Sequence, residues 1–382
     1  MNKKIWIIVD HPMQITTAVG LALYFGKDYT VNLLISKHPY WCGADVASFS
    51  SYFKEIHWFF KAGFSWIFPR EIGKILYNKQ KIKKLEINKN DIFLVLSNKV
   101  FLETLLFSIY NENKRVSINP DYLIDGVLLP YQGGEYREKI ISKIWNCTLL
   151  LFFKMEPIIY CKHTKDRALY ALFYKKGNGA VFSRCFSIKN VGVNNLSPDE
   201  IHDVSIYVRD MICQIREENK RKMVVFFGNS NYPNKYHIDF TNRCLRYIEE
   251  FFPEYDYIFK SHPNDHGEAE AVELRQFKIY QQKIIAELFY LENLDKIYRC
   301  FSIASTAVRH SIDIGIPSYY FLKLYKDYSP DLNDLLMSMA ADTNSKAFIE
   351  SFEEPPIVYE VDYNLEEVER GLKKINDFLY EN

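Results

Sequence analysis

Between residues 223 and 322, short apolar runs recur, each breaking into a polar turn before a helical stretch begins. Met223 to Phe227 ends in Gly228-Asn229-Ser230-Asn231, Tyr257 to Phe259 ends in Lys260-Ser261-His262-Pro263, and Ile297 to Phe301 ends in Ser302. Phe240 to Phe252, the segment opening with Ala286-Glu287-Leu288, and Ser305 to Ile314 read as helices, and Ser318 to Leu322 as a further strand. Runs this short and this apolar suit strands buried on both faces, and their alternation with helices predicts a parallel α/β sheet. Ligands of such sheets bind outside the carboxyl ends of the strands. An imidazole at one strand end and hydroxyls at a neighbouring helix start make a phosphate site, because free N–H groups and the helix dipole favour an anion there.

The first half of the chain follows a similar grammar. Ile5 to Val9 reads as a strand, Asp10-His11-Pro12-Met13-Gln14 as its turn, and Thr16 to Phe25 as a helix. Val31 to Ile35, ending at Ser36-Lys37-His38-Pro39, Asp91 to Leu96, and Arg115 to Ile118 read as further strands. His11 and Gln14 are thereby candidates for lining an acceptor cleft, with His38 at a second strand end; proline turn chemistry accounts for the same His-Pro pairs. Tyr122-Leu123-Ile124-Asp125-Gly126 places a carboxylate beside a glycine at the end of an apolar run. Asp125 there is a candidate general base or nucleophile, with Gly126 admitting a substrate, although Asp-Gly is also a common turn. Ser197-Pro198-Asp199-Glu200 has the form of a capping box and predicts a helix start, with Ile201, Val204, Val208, Met211, Ile212 and Ile215 on one face. The charged stretch Arg216 to Lys222 marks the expected boundary between residues 1–215 and 216–355. Leu365, Val368, Leu372, Ile375 and Leu379 give 356–382 an amphipathic helix expected to cross back to the first domain.

Lys+Arg and Asp+Glu both number 48, and zero net charge argues against a general nucleic-acid partner. Seven cysteines without a CxxC pair read as reduced thiols. The apolar run before Asp10 is too short for a secretory h-region, and no stretch reaches bilayer length, so a cytoplasmic protein is expected. Residues 56–85 are rich in aromatic and basic side chains, which suits peripheral contact with the inner membrane face or an aromatic core segment followed by a solvated basic helix. Leu149 to Phe153 reads as core, and Asp265, His266 and Glu268 as a solvated loop. There is no GxGxxG, no GxxxxGK[ST] and no DxD suited to a metal, so dinucleotide, P-loop and metal-clamped readings lose ground.

Ile124-Asp125-Gly126, Lys260-Ser261-His262-Pro263, Ala286-Glu287-Leu288 and Ser305-Thr306 follow one another along the chain. This ordered set resembles the bacterial sialyltransferases and polysialyltransferases of GT-B fold, with beta-Kdo transferases as relatives. Ile124 departs from the acidic residue often found there, and either Ser302 or Ser305 matches the serine motif. The resemblance implies two Rossmann-like domains facing a central cleft. It implies a CMP-activated nonulosonic or ulosonic acid as donor, a glycan or glycolipid acceptor of capsule or lipooligosaccharide, and no metal or other cofactor. It also implies that His262 stabilises the leaving phosphate and Asp125 deprotonates the acceptor. Ser302 or Ser305, with Thr306, would hold the same phosphate and Glu287 the ribose; Lys260 and Pro263 belong to the donor motif, and Gly228, Asn229 and Ser230 would contact cytidine or phosphate. Retaining transfer of Kdo, a UDP- or CDP-linked donor, and a non-catalytic assembly scaffold are the alternatives.

Overall fold

The computed structural model describes residues 3–37, 41, 46–62, 68–96, 101–119, 140–155, 184–187, 199–200, 204–215, 222–229, 234–325 and 345–380. The chain divides into two units: Met1–Trp41, Phe49–Val204 and Glu366–Asn382 form one, and Cys42–Ser48 with Ser205–Leu365 the other.

In the first unit, β1 (Lys4–Val9), β2 (Thr30–Lys37), β3 (Ile56–Phe60), β4 (Ile92–Val95), β5 (Lys114–Asn119), β6 (Arg184–Ser187) and β7 (Asp199–Glu200) form one sheet in the order β3-β2-β1-β4-β5-β6-β7. Each pairing is parallel. The helices are α1 (Ile15–Phe25), α2 (Ala47–Ser50), whose first two residues fall in the other unit, α3 (Phe68–Ile82), α4 (Phe101–Ile109) and α5 (Ile140–Phe153). Trp6, Ile8, Phe93 and Val95 from the sheet pack with Ile75 and Ile82 of α3, Leu102 and Leu106 of α4, and Trp145 and Leu149 of α5. Apolar side chains on strand and helices thus close over one face of the sheet, as a doubly wound fold requires.

The second unit repeats the plan. β8 (Met223–Phe227), β9 (Asp256–Lys260), β10 (Lys278–Ile279), β11 (Ile297–Ser302) and β12 (Ser318–Tyr320) are all parallel, in the order β10-β9-β8-β11-β12. Its helices are α6 (Ser205–Ile215), α7 (Lys235–Phe251), α8 (Glu268–Ala271), α9 (Ala286–Asn293) and α10 (Thr306–Asp313). Aromatic rings bind neighbouring strands: Phe226 stacks on Phe259 at 5.6 Å and Phe301 on Tyr319 at 5.2 Å. The last helix, α11 (Leu365–Tyr380), buries Val368, Leu372, Ile375 and Leu379. It belongs to the first unit, where Lys114 Nζ donates to the Phe378 carbonyl at 2.8 Å and Tyr29 meets Tyr380 at 5.7 Å.

Two expectations need correcting. Asp199–Glu200 is a short strand paired with Phe186 and Ser187, not a helix start, and the helix begins at Ser205. A capping signal is local, and pairing with a distant sheet edge overrides it. Within the apolar run Leu149 to Phe153, only Leu149 and Phe153 are buried; Leu150, Leu151 and Phe152 face outward, because a helix buries only one stripe.

Candidate active site

The parallel register sets Lys260, Phe227, Ser302 and Tyr320 in one row across the second sheet. Gly228, the Ser261-His262 loop and the turn from Ser302 to Thr306 therefore stand side by side at its carboxyl edge. The strand order reverses between β8 and β11, so this edge holds the switch point where such sheets bind ligands.

His262 is half-buried, and its Nδ1 accepts the Asn264 backbone N–H at 3.1 Å. An accepting Nδ1 carries no proton, so the imidazole proton is on Nε2. Burial, and then the Lys260 ammonium, push the His262 pKa below its ordinary value, which keeps the ring neutral at pH 7. The ring thus offers a single N–H donor. Lys260 ends β9, is buried, and donates to the Ser261 carbonyl at 2.7 Å. Burial lowers its pKa to about 8, opposed by the Glu287 carboxylate. Pro263 follows, partly buried.

On the other side of β8, Ser302 is fully buried and its Oγ accepts the Ser305 N–H at 3.0 Å. Ser305 caps α10, its Oγ accepting the Ala307 N–H at 3.2 Å, and Thr306 is exposed at the first helical position. Of the two serines open in the sequence, Ser302 holds the turn from inside, whereas Ser305 presents an O–H near the helix start. Glu287 is buried in the first turn of α9, and its Oε1 lies 3.3 Å from His310 Nε2. That approach is not an aligned hydrogen bond, and the buried Nε2 of His310 has no partner among the described residues.

Glu268 ties these loops together. Although the sequence suggests a solvated loop, it is 1 % exposed. Oε2 accepts the Asn229 backbone N–H at 2.7 Å, and Oε1 accepts from His237 Nε2 at 2.6 Å and the Thr241 hydroxyl at 3.4 Å. With Nε2 donating, His237 Nδ1 is left to accept the Tyr325 hydroxyl at 3.1 Å. Asp265 Oδ1 accepts the backbone N–H groups of Gly267 and Glu268, so the loop after His262 leads directly to this hub. Gly228 donates its N–H to the Lys260 carbonyl at 3.0 Å. A Cβ there would stand 2.6 Å from Glu268 Oε2, so a side chain at this position would have to displace that carboxylate. Asn229 is buried, and its Nδ2 has no partner among the described residues.

In the first unit, Gln14 is 1 % exposed and braces the turn after β1 instead of lining an open surface. Its Oε1 accepts the Asp10 and His11 N–H groups at 2.9 and 3.2 Å, and its Nε2 donates to the Leu96 carbonyl at 2.9 Å. His11 is partly exposed beside it. Asp10 pairs with Lys61 at 3.1 Å. Burial, and then the Asp10 charge, push the Glu103 carboxyl well above the usual carboxylate range. Asp125, Gly126, Ser230 and His38 lie outside the described residues. Among the described residues, no group of three His, Cys, Asp or Glu side chains is placed to hold a metal ion.

Sequence reasoning missed Glu268, His237, Tyr325 and His310. His310 lies one helical turn after Thr306, and that spacing would have pointed to it. The other three meet only through the fold.

No protein-family model matches the chain, and no curated protein matches it in sequence. Among solved structures, a candidate UDP-N-acetylglucosamine 2-epimerase from Listeria monocytogenes is similar, with a TM-score of 0.50, 11 % identity, and 100 % of this chain and 98 % of that chain covered. An alpha/beta-galactoside alpha-2,3-sialyltransferase from Photobacterium phosphoreum has a TM-score of 0.43 and 12 % identity, with 91 % and 98 % covered. A sialyltransferase from Photobacterium damsela has a TM-score of 0.48 and 12 % identity, with 91 % and 81 % covered. At such identities the likeness concerns the fold, which is of the GT-B type.

Proposed function

We propose that the chain is a glycosyltransferase that moves a sialic acid or related ulosonic acid from a CMP-activated donor to a hydroxyl of a bacterial surface glycan. The observation that carries this reading is the row of groups at the carboxyl edge of the second sheet. The neutral His262 with its Nε2–H, the Lys260 ammonium beneath it, the Gly228-Asn229 strand end and the Ser305-Thr306 helix start all suit an anionic phosphate. In this reading His262 donates to the phosphate as negative charge develops on the leaving CMP. Ser305 and Thr306 hold the same phosphate, Glu287 accepts from the ribose hydroxyls, and Asn229 faces the nucleotide. Asp125 takes the proton of the acceptor hydroxyl. A nucleoside monophosphate leaving group presents no diphosphate for a metal to clamp, so the reaction proceeds without one.

Thermal unfolding of wild type and His262→Ala in the presence of CMP, CDP or UDP tests the reading. A ligand that binds only the folded chain adds about 2.7 kcal/mol at a hundredfold excess over its Kd. CMP is expected to protect wild type and to lose that protection in His262→Ala. Better protection by UDP or CDP would transfer the reading to a different donor class. No protection by any nucleotide would leave a non-catalytic assembly role.

A further inference from the structure

α5 is apolar on both sides. Trp145, Leu149 and Phe153 bury its inner face in the core of the first unit. Ile144, Leu150, Leu151 and Phe152 are exposed around the rest of the helix, Leu151 and Phe152 at 75 % and 76 %. Single exposed apolar residues are ordinary, but several on one helix mark an interaction surface.

Among the described residues, lysines lie beside this patch. Residues 140–153 contain no Asp or Glu, and the exposed Lys154 follows at once. α3 lies alongside, with Lys79 Nζ 5.7 Å above the Phe153 ring. Leu76 lies one helical turn before Lys79 on α3 and is exposed, and the exposed Lys83 and Lys84 follow the end of the helix, the Lys83 N–H donating to the Lys79 carbonyl at 3.1 Å. The acid of α3, Glu71, is buried and paired with Lys74 at 2.7 Å, so it offers no counter-charge at the surface.

The geometry points to a docking surface for an anionic lipid bilayer, built from the exposed apolar residues of α5 and the lysines at and just beyond the end of α3. Leu150, Leu151 and Phe152 enter the headgroup–acyl boundary, and Lys79, Lys83, Lys84 and Lys154 meet lipid phosphates. The 14 residues of α5 extend about 21 Å. That is short of the roughly 30 Å hydrocarbon core, so the helix lies on the bilayer. Among the described residues no helix is long and apolar enough to cross a membrane. A second copy of the chain is a poorer occupant, because self-pairing would bring the same lysines together. The inference stands apart from the sugar-transfer reading.

Co-sedimentation of the full chain with vesicles tests it. Binding is expected to vesicles of phosphatidylcholine mixed with phosphatidylglycerol, and at least about tenfold weaker to phosphatidylcholine alone. Leu151→Ser with Phe152→Ser is expected to weaken anionic binding at least about tenfold. Lys83→Glu with Lys84→Glu is expected to weaken it and to flatten its dependence on salt. These side chains are exposed, so thermal unfolding should be unchanged; if the serine pair unfolds, the glutamate pair decides. The inference is overturned if wild type binds neither vesicle or if binding ignores the substitutions. It is also overturned if the serine pair abolishes a concentration-dependent dimer in a chain that sediments with no vesicle.

Discussion

Replacing Glu268 by alanine removes the acceptor that joins β8, α7 and the loop after His262. Two close hydrogen bonds are lost, from the Asn229 N–H at 2.7 Å and from His237 Nε2 at 2.6 Å, with a longer one from Thr241 at 3.4 Å. Asn229 and His237 are buried, so their donors have no ready water. A buried donor left unpaired costs about 1–3 kcal/mol. Two such donors give about 2–6 kcal/mol, a large part of a typical folding stability of about 5–15 kcal/mol. Glu268→Gln keeps a carbonyl for Asn229, and its amide suits His237 once the ring moves its proton to Nδ1. Its expected loss is about 1–2 kcal/mol. Urea unfolding followed by intrinsic fluorescence gives both values, provided the slope is unchanged between variants. A cycle with His237→Ala should show coupling of about 1–3 kcal/mol. An alanine variant within about 0.5 kcal/mol of wild type, the range of ordinary surface changes, would refute the hub.

Gly228→Ala should cost about 1–3 kcal/mol by forcing a methyl group against Glu268 and Phe259, measured by the same unfolding. Because the Lys260 pKa is about 8, nucleotide affinity measured by calorimetry should fall as pH rises through that value in wild type and stay flat in Lys260→Met. The folded chain holds the His262 proton less tightly than the unfolded chain, so acidification favours unfolding. The contribution is present above the ordinary histidine pKa of about 6.5 and is lost as pH falls through the lower folded value. Unfolding midpoints from pH 7 to 5 should therefore drop more steeply in wild type than in His262→Gln.

The strands of both units were legible wherever apolar runs were buried on both faces, as in Ile5 to Val9 and Met223 to Phe227. β3, β10 and the β6–β7 edge were not recognised, because β3 has one buried residue among its five and β6, β7 and β10 are only two to four residues long with polar residues among them, so none gives a buried apolar run. The helix from Lys235 begins earlier than its apolar periodicity suggests. Its first turn is held by the Asn234 side chain, which accepts the His237 N–H at 2.8 Å. The place of His262 just after a strand end and of Ser305 and Thr306 at a helix start was readable, because strand-end turns and helix caps are encoded within a few residues.

Sequence alone determined the α/β class, the positions of the principal strands and the polar turns that end them, since burial pattern and turn chemistry act over short stretches of chain. Tertiary structure alone decided which turn residues face inward. It buried Ser302 and Gln14, left Ser305 and Thr306 at the edge, and turned Leu151 and Phe152 to the outside. It also brought Glu268 to Asn229 and His237, His237 to Tyr325, and Glu287 to His310. Those meetings join residues far apart in the chain, and only the order and register of the strands bring them within hydrogen-bonding reach.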